Sequence, residues 1–365
     1  MNLDKENLYK EHFNDMCKND VFSLNEIELN LYLQRIIDCL PNGKLYKYRN
    51  FTKEQFDFTY NALNEGYLWL SYAKDFNDKR DMTINYNPLV EIENYQKDLS
   101  ENPRQFLLKV CSFMPTEIRN QLLSVSDETL SLICNCFKQD NSFDKYKLIE
   151  LAENIGIMVS EEDKVKLNLV ENEKNNIEKK LIPNIEQFAD FLVEVNNTIQ
   201  SESMVYCFTD SYTNDGMWSL YSNNNNGYCI EYDLNKAFTL PIEEKRKMIN
   251  IFRVKYEEKK ILSIFNMIEW NNMSANDFIN SKKEFFDQLL IKDKSYNFER
   301  EWRIVLARVE QKFFADLVSA IIIDESVINT SKAKKLVLLA NRKGWNVLER
   351  KINVLKTCYS YGQYH

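Results

Sequence analysis

Breakers are rare in this chain: 7 glycines and 6 prolines are spread over 365 residues that also carry 22 phenylalanines and 20 tyrosines. Glycine and proline are what most often end helices and strands, so their scarcity favours long, well-packed elements over flexible linkers. The apolar pattern then divides the chain. Residues 1–40 read as helical: Ile27, Leu31, Leu33, Ile36, Ile37 and Leu40 recur near the helical period, and Pro41-Asn42-Gly43 stops the run. Lys44–Arg49 alternates instead, as a short strand does. Thr52 with Gln55 three residues on reads as a capping box, Phe51 and Phe56 as a hydrophobic staple, and Gly66 as the residue that ends the helix. Tyr67–Tyr72 reads as a second strand. This strand, helix, strand unit leaves Arg49 and Ser71 near strand ends.

Residues 88–200 carry repeated helix signals: from Pro103 (Phe106, Leu107, Val110), from Ser126 with Thr129, over Ser142–Ile155 and over Ile185–Ile199. Glu161–Lys180 is highly charged and reads as a solvated helix or arm. Strand patterns return at Met204–Asp210, Gly227–Leu234, Phe252–Tyr256, Ser295–Leu306, Val318–Asp324 and Asn346–Leu355, with helix at Met217–Tyr221 and Ser331–Lys343. The four asparagines 223–226 form a natural turn, because Asn tolerates left-handed backbone. The expected class is therefore α+β: an N-terminal helical segment 1–40, a core domain of 41–87 and 201–365, and a helical insertion 88–200.

Composition narrows the chemistry. A net charge of −8 makes the whole chain no electrostatic trap for nucleic acid. The 8 cysteines form no CxxC pair and lie among apolar residues, as buried reduced thiols do. The 2 histidines, His12 and His365, leave a zinc site or a His-based triad without its parts, so no metal is expected. Nothing approaches the roughly 18 apolar residues of a membrane span, and Met1–Asp15 lacks a signal-peptide core, so the expected place is the cytoplasm, with no membrane partner. Catalysis, if present, rests on carboxylates, Ser, Tyr, Cys or Arg.

Two constellations stand out. In a strand running Ser295–Leu306, alternation puts Glu299, Glu301 and Arg303 on one face and Arg300, Trp302 and Ile304 on the other. Such a triplet is either a solvated ion pair or a site that aims two carboxylates and a guanidinium at a cleft. Trp218 and Tyr221, three apart on a helical turn, are either a core anchor with its neighbour or a platform for a flat ring such as nicotinamide or adenine. The polar loop that follows Leu70-Ser71 adds Phe76-Asn77-Asp78 and Asp81.

These blocks resemble a bacterial domain-of-unknown-function family, numbered two-nine-seven-one. They are Tyr46-Lys47-Tyr48-Arg49; Leu68-Trp69-Leu70-Ser71 with Phe76-Asn77-Asp78 and Asp81; Cys207-Phe208-Thr209 with Met217-Trp218-Ser219 and Tyr221; Gly227–Asp233; and Phe298–Arg303. Two positions depart from that pattern, Leu220 where a histidine is frequent and Lys79 where a proline is. The resemblance points to mobile and defence contexts.

The order Arg49, Ser71, Glu299-x-Glu301 is also similar to that of ADP-ribosyltransferases, and implies an ADP-ribosyltransferase-like mixed β core. By that resemblance NAD is the substrate, Glu301 the catalytic glutamate and Glu299 the one that activates the acceptor. Arg49, Ser71, Trp218, Tyr221 and Arg303 would line the NAD pocket. A fixed carboxylate suits this chemistry, because positive charge builds at C1′ as nicotinamide leaves. The implied activity is an NAD-dependent transferase or NAD glycohydrolase, a defence or toxin effector. Its acceptor is an unidentified protein or nucleic acid, and residues 88–200 could serve a partner protein or self-association. Two other readings stay open: a nucleotide-sensing binding module, and a metal-dependent phosphodiesterase built on Glu299, Glu301 and Asp78 or Asp81.

Overall fold

The computed structural model describes residues 3–18, 21–91, 189–261, 285–307 and 309–351, with a few isolated positions besides. The chain divides into two compact units, Met1–Thr83 with Thr198–Lys259 and Leu289–His365, and Ile84–Asn197 with Lys260–Gln288. Apart from isolated positions, the helix signals from Pro103, Ser126 and Ser142 and the charged stretch after Glu161 lie outside the described residues. In the second unit the Asn196 side chain brackets Ile84, accepting from its backbone N–H at 2.8 Å and donating to its carbonyl at 3.0 Å.

The first unit is α+β. In chain order it holds α1 (Leu3–Lys18), α2 (Glu26–Cys39), β1 (Lys44–Asn50), α3 (Lys53–Glu65), β2 (Tyr67–Trp69), β3 (Ser71–Tyr72) and β4 (Ser203–Thr209). Then follow α4 (Asp215–Tyr221), β5 (Gly227–Asp233), α5 (Ile242–Met248), β6 (Ile251–Arg253), β7 (Lys255–Tyr256) and β8 (Ile291–Lys292). The last elements are β9 (Glu301–Ala307), β10 (Lys312–Phe314), β11 (Val318–Asp324), α6 (Ser331–Lys343) and β12 (Asn346–Arg350). The main sheet runs β12-β11-β5-β1-β4-β9-β6, with β3 also on β4. Only β11 and β12 are parallel within it, and α6 is the crossover that a parallel pair requires.

Local chemistry explains most of these elements. Asn25 caps α2 through the N–H groups of Ile27 and Glu28, while Glu28 returns to the Asn25 N–H at 2.8 Å. The helix buries Leu29, Leu33 and Ile36, whereas Ile27 and Leu31 are exposed at 74% and 59%. Ile27 lies two residues from Leu29, about 200° around the helix, so it cannot share that stripe. In α3 the staple forms, with Phe51 and Phe56 5.6 Å apart, and Gly66 closes the helix at φ 78°. Thr52 holds the N-cap position, but the capping box does not form: its hydroxyl donates to Asn50 at 2.6 Å, and Gln55 takes the Asn50 N–H. The expected strand Tyr67–Tyr72 is split, because β2 pairs with β10 and β3 with β4, Leu70 donating to Gln311 between them. Asn223, Asn224 and Asn225 all turn left-handed, as their side chains permit, and deliver the chain to Gly227 at the head of β5.

Register fixes which side chains share a face. Tyr46 pairs with Thr209, Thr209 with Glu301 and Cys207 with Arg303. Directly opposed antiparallel residues point the same way, so these and Tyr48, Glu231 and Cys229 line one face. Lys47, Arg49, Tyr206, Phe208, Tyr228, Tyr232, Trp302 and Ile304 line the other, where Trp302 meets Tyr9 of α1 edge-on at 5.6 Å. Among the described residues no helix is long and apolar enough to cross a membrane.

His12 of α1 is fully buried between Tyr32 and Phe252, and burial, with the Arg35 charge beside it, lowers its pKa to about 4. The unfolded chain binds a proton near pH 6.5 that the folded chain refuses, so stability falls as pH drops from 6.5 toward 4. The full effect is on the order of 3 kcal/mol. Comparing denaturant midpoints against pH, His12→Phe should lose markedly less stability than wild type across that window.

Candidate functional site

The sequence SYNFER does not enter β9 as a strand. Asp293 takes the Ser295 N–H and starts a 3-10 turn over Lys294–Glu299, and Arg300 then adopts left-handed backbone at φ 47°. The strand therefore begins at Glu301 rather than Ser295. Alternation within β9 still aligns Glu301 with Arg303, and Glu299 reaches them from the turn.

Arg303 is wholly buried, and each nitrogen of its guanidinium has a carboxylate partner. Nε donates to Glu301 at 2.8 Å, Nη1 and Nη2 form a fork on the two Asp81 oxygens at 2.8 and 2.7 Å, and Nη2 also reaches Glu301 at 3.0 Å. Phe76 lies 5.4 Å beneath the guanidinium. Lys292 of β8 joins the two glutamates, 2.5 Å from Glu299 and 3.1 Å from Glu301. Tyr221 of α4 donates its hydroxyl to Glu299, and the Glu301 N–H donates to the Tyr256 hydroxyl at 2.7 Å. All of these residues belong to the first unit.

Three carboxylates, Asp81, Glu299 and Glu301, thus face two cations, Lys292 and Arg303, inside the protein. One negative charge is in surplus, and the surroundings decide where it is neutralised. Burial opposes ionisation of Glu301, but Arg303 and then Lys292 outweigh it and hold its carboxyl below the usual range. Burial, joined by the Glu301 charge, outweighs Lys292 at Glu299 and raises its carboxyl. Burial also raises the Cys207 thiol, with Glu301 adding to it, so this neighbour stays neutral. The surroundings therefore push the two carboxyls apart, Glu301 toward the anion and Glu299 toward its protonated form.

Of the residues singled out from sequence, the structure brings Glu299, Glu301, Arg303 and Tyr221 together. Ser71 pairs with Val205 and lies on the same face, one row beyond Cys207 and Arg303. Arg49 does not join them, because it sits on the opposite face of the sheet. Trp218 is a core anchor: it is fully buried, packs edge-on against Tyr48 at 5.2 Å, carries the Arg350 guanidinium at 4.6 Å and donates to the Tyr212 carbonyl. No surface of it is left for a ligand ring.

Asp81, Lys292, Tyr256 and Phe76 complete the site. Asp81 was visible as the end of the Phe76-Asn77-Asp78 block, but nothing local marks a loop aspartate as the partner of an arginine 222 residues away. Its oxygens, like those of Glu301, accept hydrogen bonds from cations.

No curated protein and no solved structure matches the chain. A family does match, over the stretch that holds α4, β5 and the turn into β9, and with it Tyr221, Lys292, Glu299, Glu301 and Arg303. Residues 217–304 match the model of the family described as Protein of unknown function (DUF2971).

Proposed function

We propose that this protein cleaves the bond between nicotinamide and ribose in NAD, passing the ADP-ribosyl group to an acceptor or to water. The observation that carries the reading is the buried Glu299–Glu301 pair, whose environments drive their protonation apart. As the C1′–N bond breaks, its electrons leave with nicotinamide and positive charge grows at C1′; the Glu301 anion, held by Arg303 and Lys292, opposes that charge. Glu299, once ionised, is the stronger base of the two and takes the proton of the incoming hydroxyl. Tyr221 orients Glu299. We place this activity in the bacterial cytoplasm, in a defence or toxin effector with a macromolecular acceptor, following the family resemblance.

One observation favours a second reading, a non-catalytic nucleotide sensor: both Glu301 oxygens already have cationic partners. Incubation with NAD separates the two. The enzyme releases nicotinamide, and Glu301→Gln slows release on the order of 100-fold or more. A sensor raises its melting temperature with NAD or a related nucleotide and releases nothing. Undiminished release by folded Glu301→Gln would remove Glu301 from the chemistry.

A further inference from the structure

We propose that Lys47 and Arg49 form a binding site for a phosphoryl group on the sheet face opposite the Glu301 network. They stand two residues apart on β1, roughly 7 Å along the strand, and point the same way. Their same-face neighbours across the ladder are Ile230 and Tyr228 of β5, neither of which carries a negative charge. Lys47 donates to the Cys207 carbonyl at 2.7 Å and lies 3.9 Å from the Tyr206 ring centre. Among the described residues Arg49 has no hydrogen bond and no ion pair, and its Nε is buried without a partner. Among the described residues no carboxylate pairs with either cation. Glu301 raises the Lys47 pKa only weakly, from across the sheet, behind burial and the Arg49 charge that lower it to about 7.

Taking two like charges partly out of water beside one another is unfavourable unless something compensates them. The surroundings match an oxyanion. The Tyr206 and Tyr232 hydroxyls are 2.7 Å apart, so one donates to the other and the acceptor keeps its own proton to give away. Burial raises both phenols and keeps them protonated, hence donors. Lys332 and Lys335 of α6 lie beside Phe56 and Tyr60 of α3, the helix packed over this end of the face, and add positive field. Neither Lys47 nor Arg49 is fully buried: each keeps part of its surface open to solvent. A fork-shaped guanidinium, a point-charge ammonium and a phenolic donor suit a tetrahedral anion better than a planar carboxylate, which the fork alone would satisfy. The site is independent of the NAD-cleavage reading, since the sheet separates it from Glu301.

The test is titration of the full chain with inorganic phosphate, pyrophosphate and ADP, followed by calorimetry and by melting temperature, against chloride at matched ionic strength. Binding is expected for at least one of the three, weakened ten-fold or more in Arg49→Gln and in Lys47→Met, and unchanged in Arg80→Gln, an exposed arginine elsewhere. Lys47→Met should also melt higher than wild type without ligand, because it removes an uncompensated cation, yet lose its response to the anion. Tighter binding of ADP than of pyrophosphate assigns a nucleotide, and equal binding assigns the phosphoryl group alone. No response beyond that of chloride, or an unchanged response in both folded variants, overturns the proposal.

Discussion

Arg303→Met should destabilise the protein by about 3–5 kcal/mol, enough to unfold a marginal domain. The side chain hydrogen-bonds both Asp81 and Glu301, and it is shielded completely from water. Removing it leaves two carboxylates at 4% and 5% exposure with Lys292 as their remaining cation, 3.9 Å from Asp81 and 3.1 Å from Glu301. Because the loss is mostly that of stranded charge rather than of a favourable pair, it should not be additive. Adding Asp81→Asn and Glu301→Gln to Arg303→Met should recover much of the stability, measured by denaturant unfolding of the single and triple variants. Equal destabilisation in both would mean that packing around the guanidinium, not charge, dominates.

Gly227→Ala is the second large effect, at about 3 kcal/mol or more. A Cβ at this position would stand 2.3 Å from the Arg49 carbonyl oxygen and 2.6 Å from Ser222 Cβ. The first of these is backbone of the paired strand, opposite Gly227 through Asn50, and β1 cannot retreat without breaking its ladder to β4. Gly344 makes the control. It is left-handed at φ 72° with nothing within 4 Å, so Gly344→Ala should cost only about 1 kcal/mol of backbone strain. Unfolding midpoints of the two variants, compared with wild type, check both values.

How much of this was legible in sequence depended on whether the deciding force was local. Val318–Asp324 and Ser331–Lys343 are read correctly: the strand is an apolar run, and the helix, which the structure shows capped by Thr330 and closed by Gly344, buries Ala333, Leu336, Leu339 and Ala340 on one stripe, so local pattern and packing agree. The start of β9 is not, because Arg300 turns left-handed, a conformation that nothing in the Arg side chain announces. The pairing of Glu301 with Arg303 follows from alternation alone, whereas Asp81 and Lys292 arrive through tertiary structure. The separation of Arg49 from Glu301 is the plainest case. Both are strand residues in the expected order, but which face each one takes depends on register passed from Tyr46 to Thr209 to Glu301, and an order of residues holds no parity. Trp218 went to the core for a similar reason: Tyr48 and Arg350 claim its two sides.

The functional account rests on the division of labour between Glu299 and Glu301, and carboxyl-carbon NMR titration of the glutamate-labelled protein measures it most directly, with Glu299→Gln and Glu301→Gln spectra to assign the two signals. The account predicts that Glu301 stays ionised below the ordinary glutamate range, while Glu299 takes up its proton above it. Two carboxyls titrating together near the ordinary value, or Glu301 taking the proton first, would contradict it.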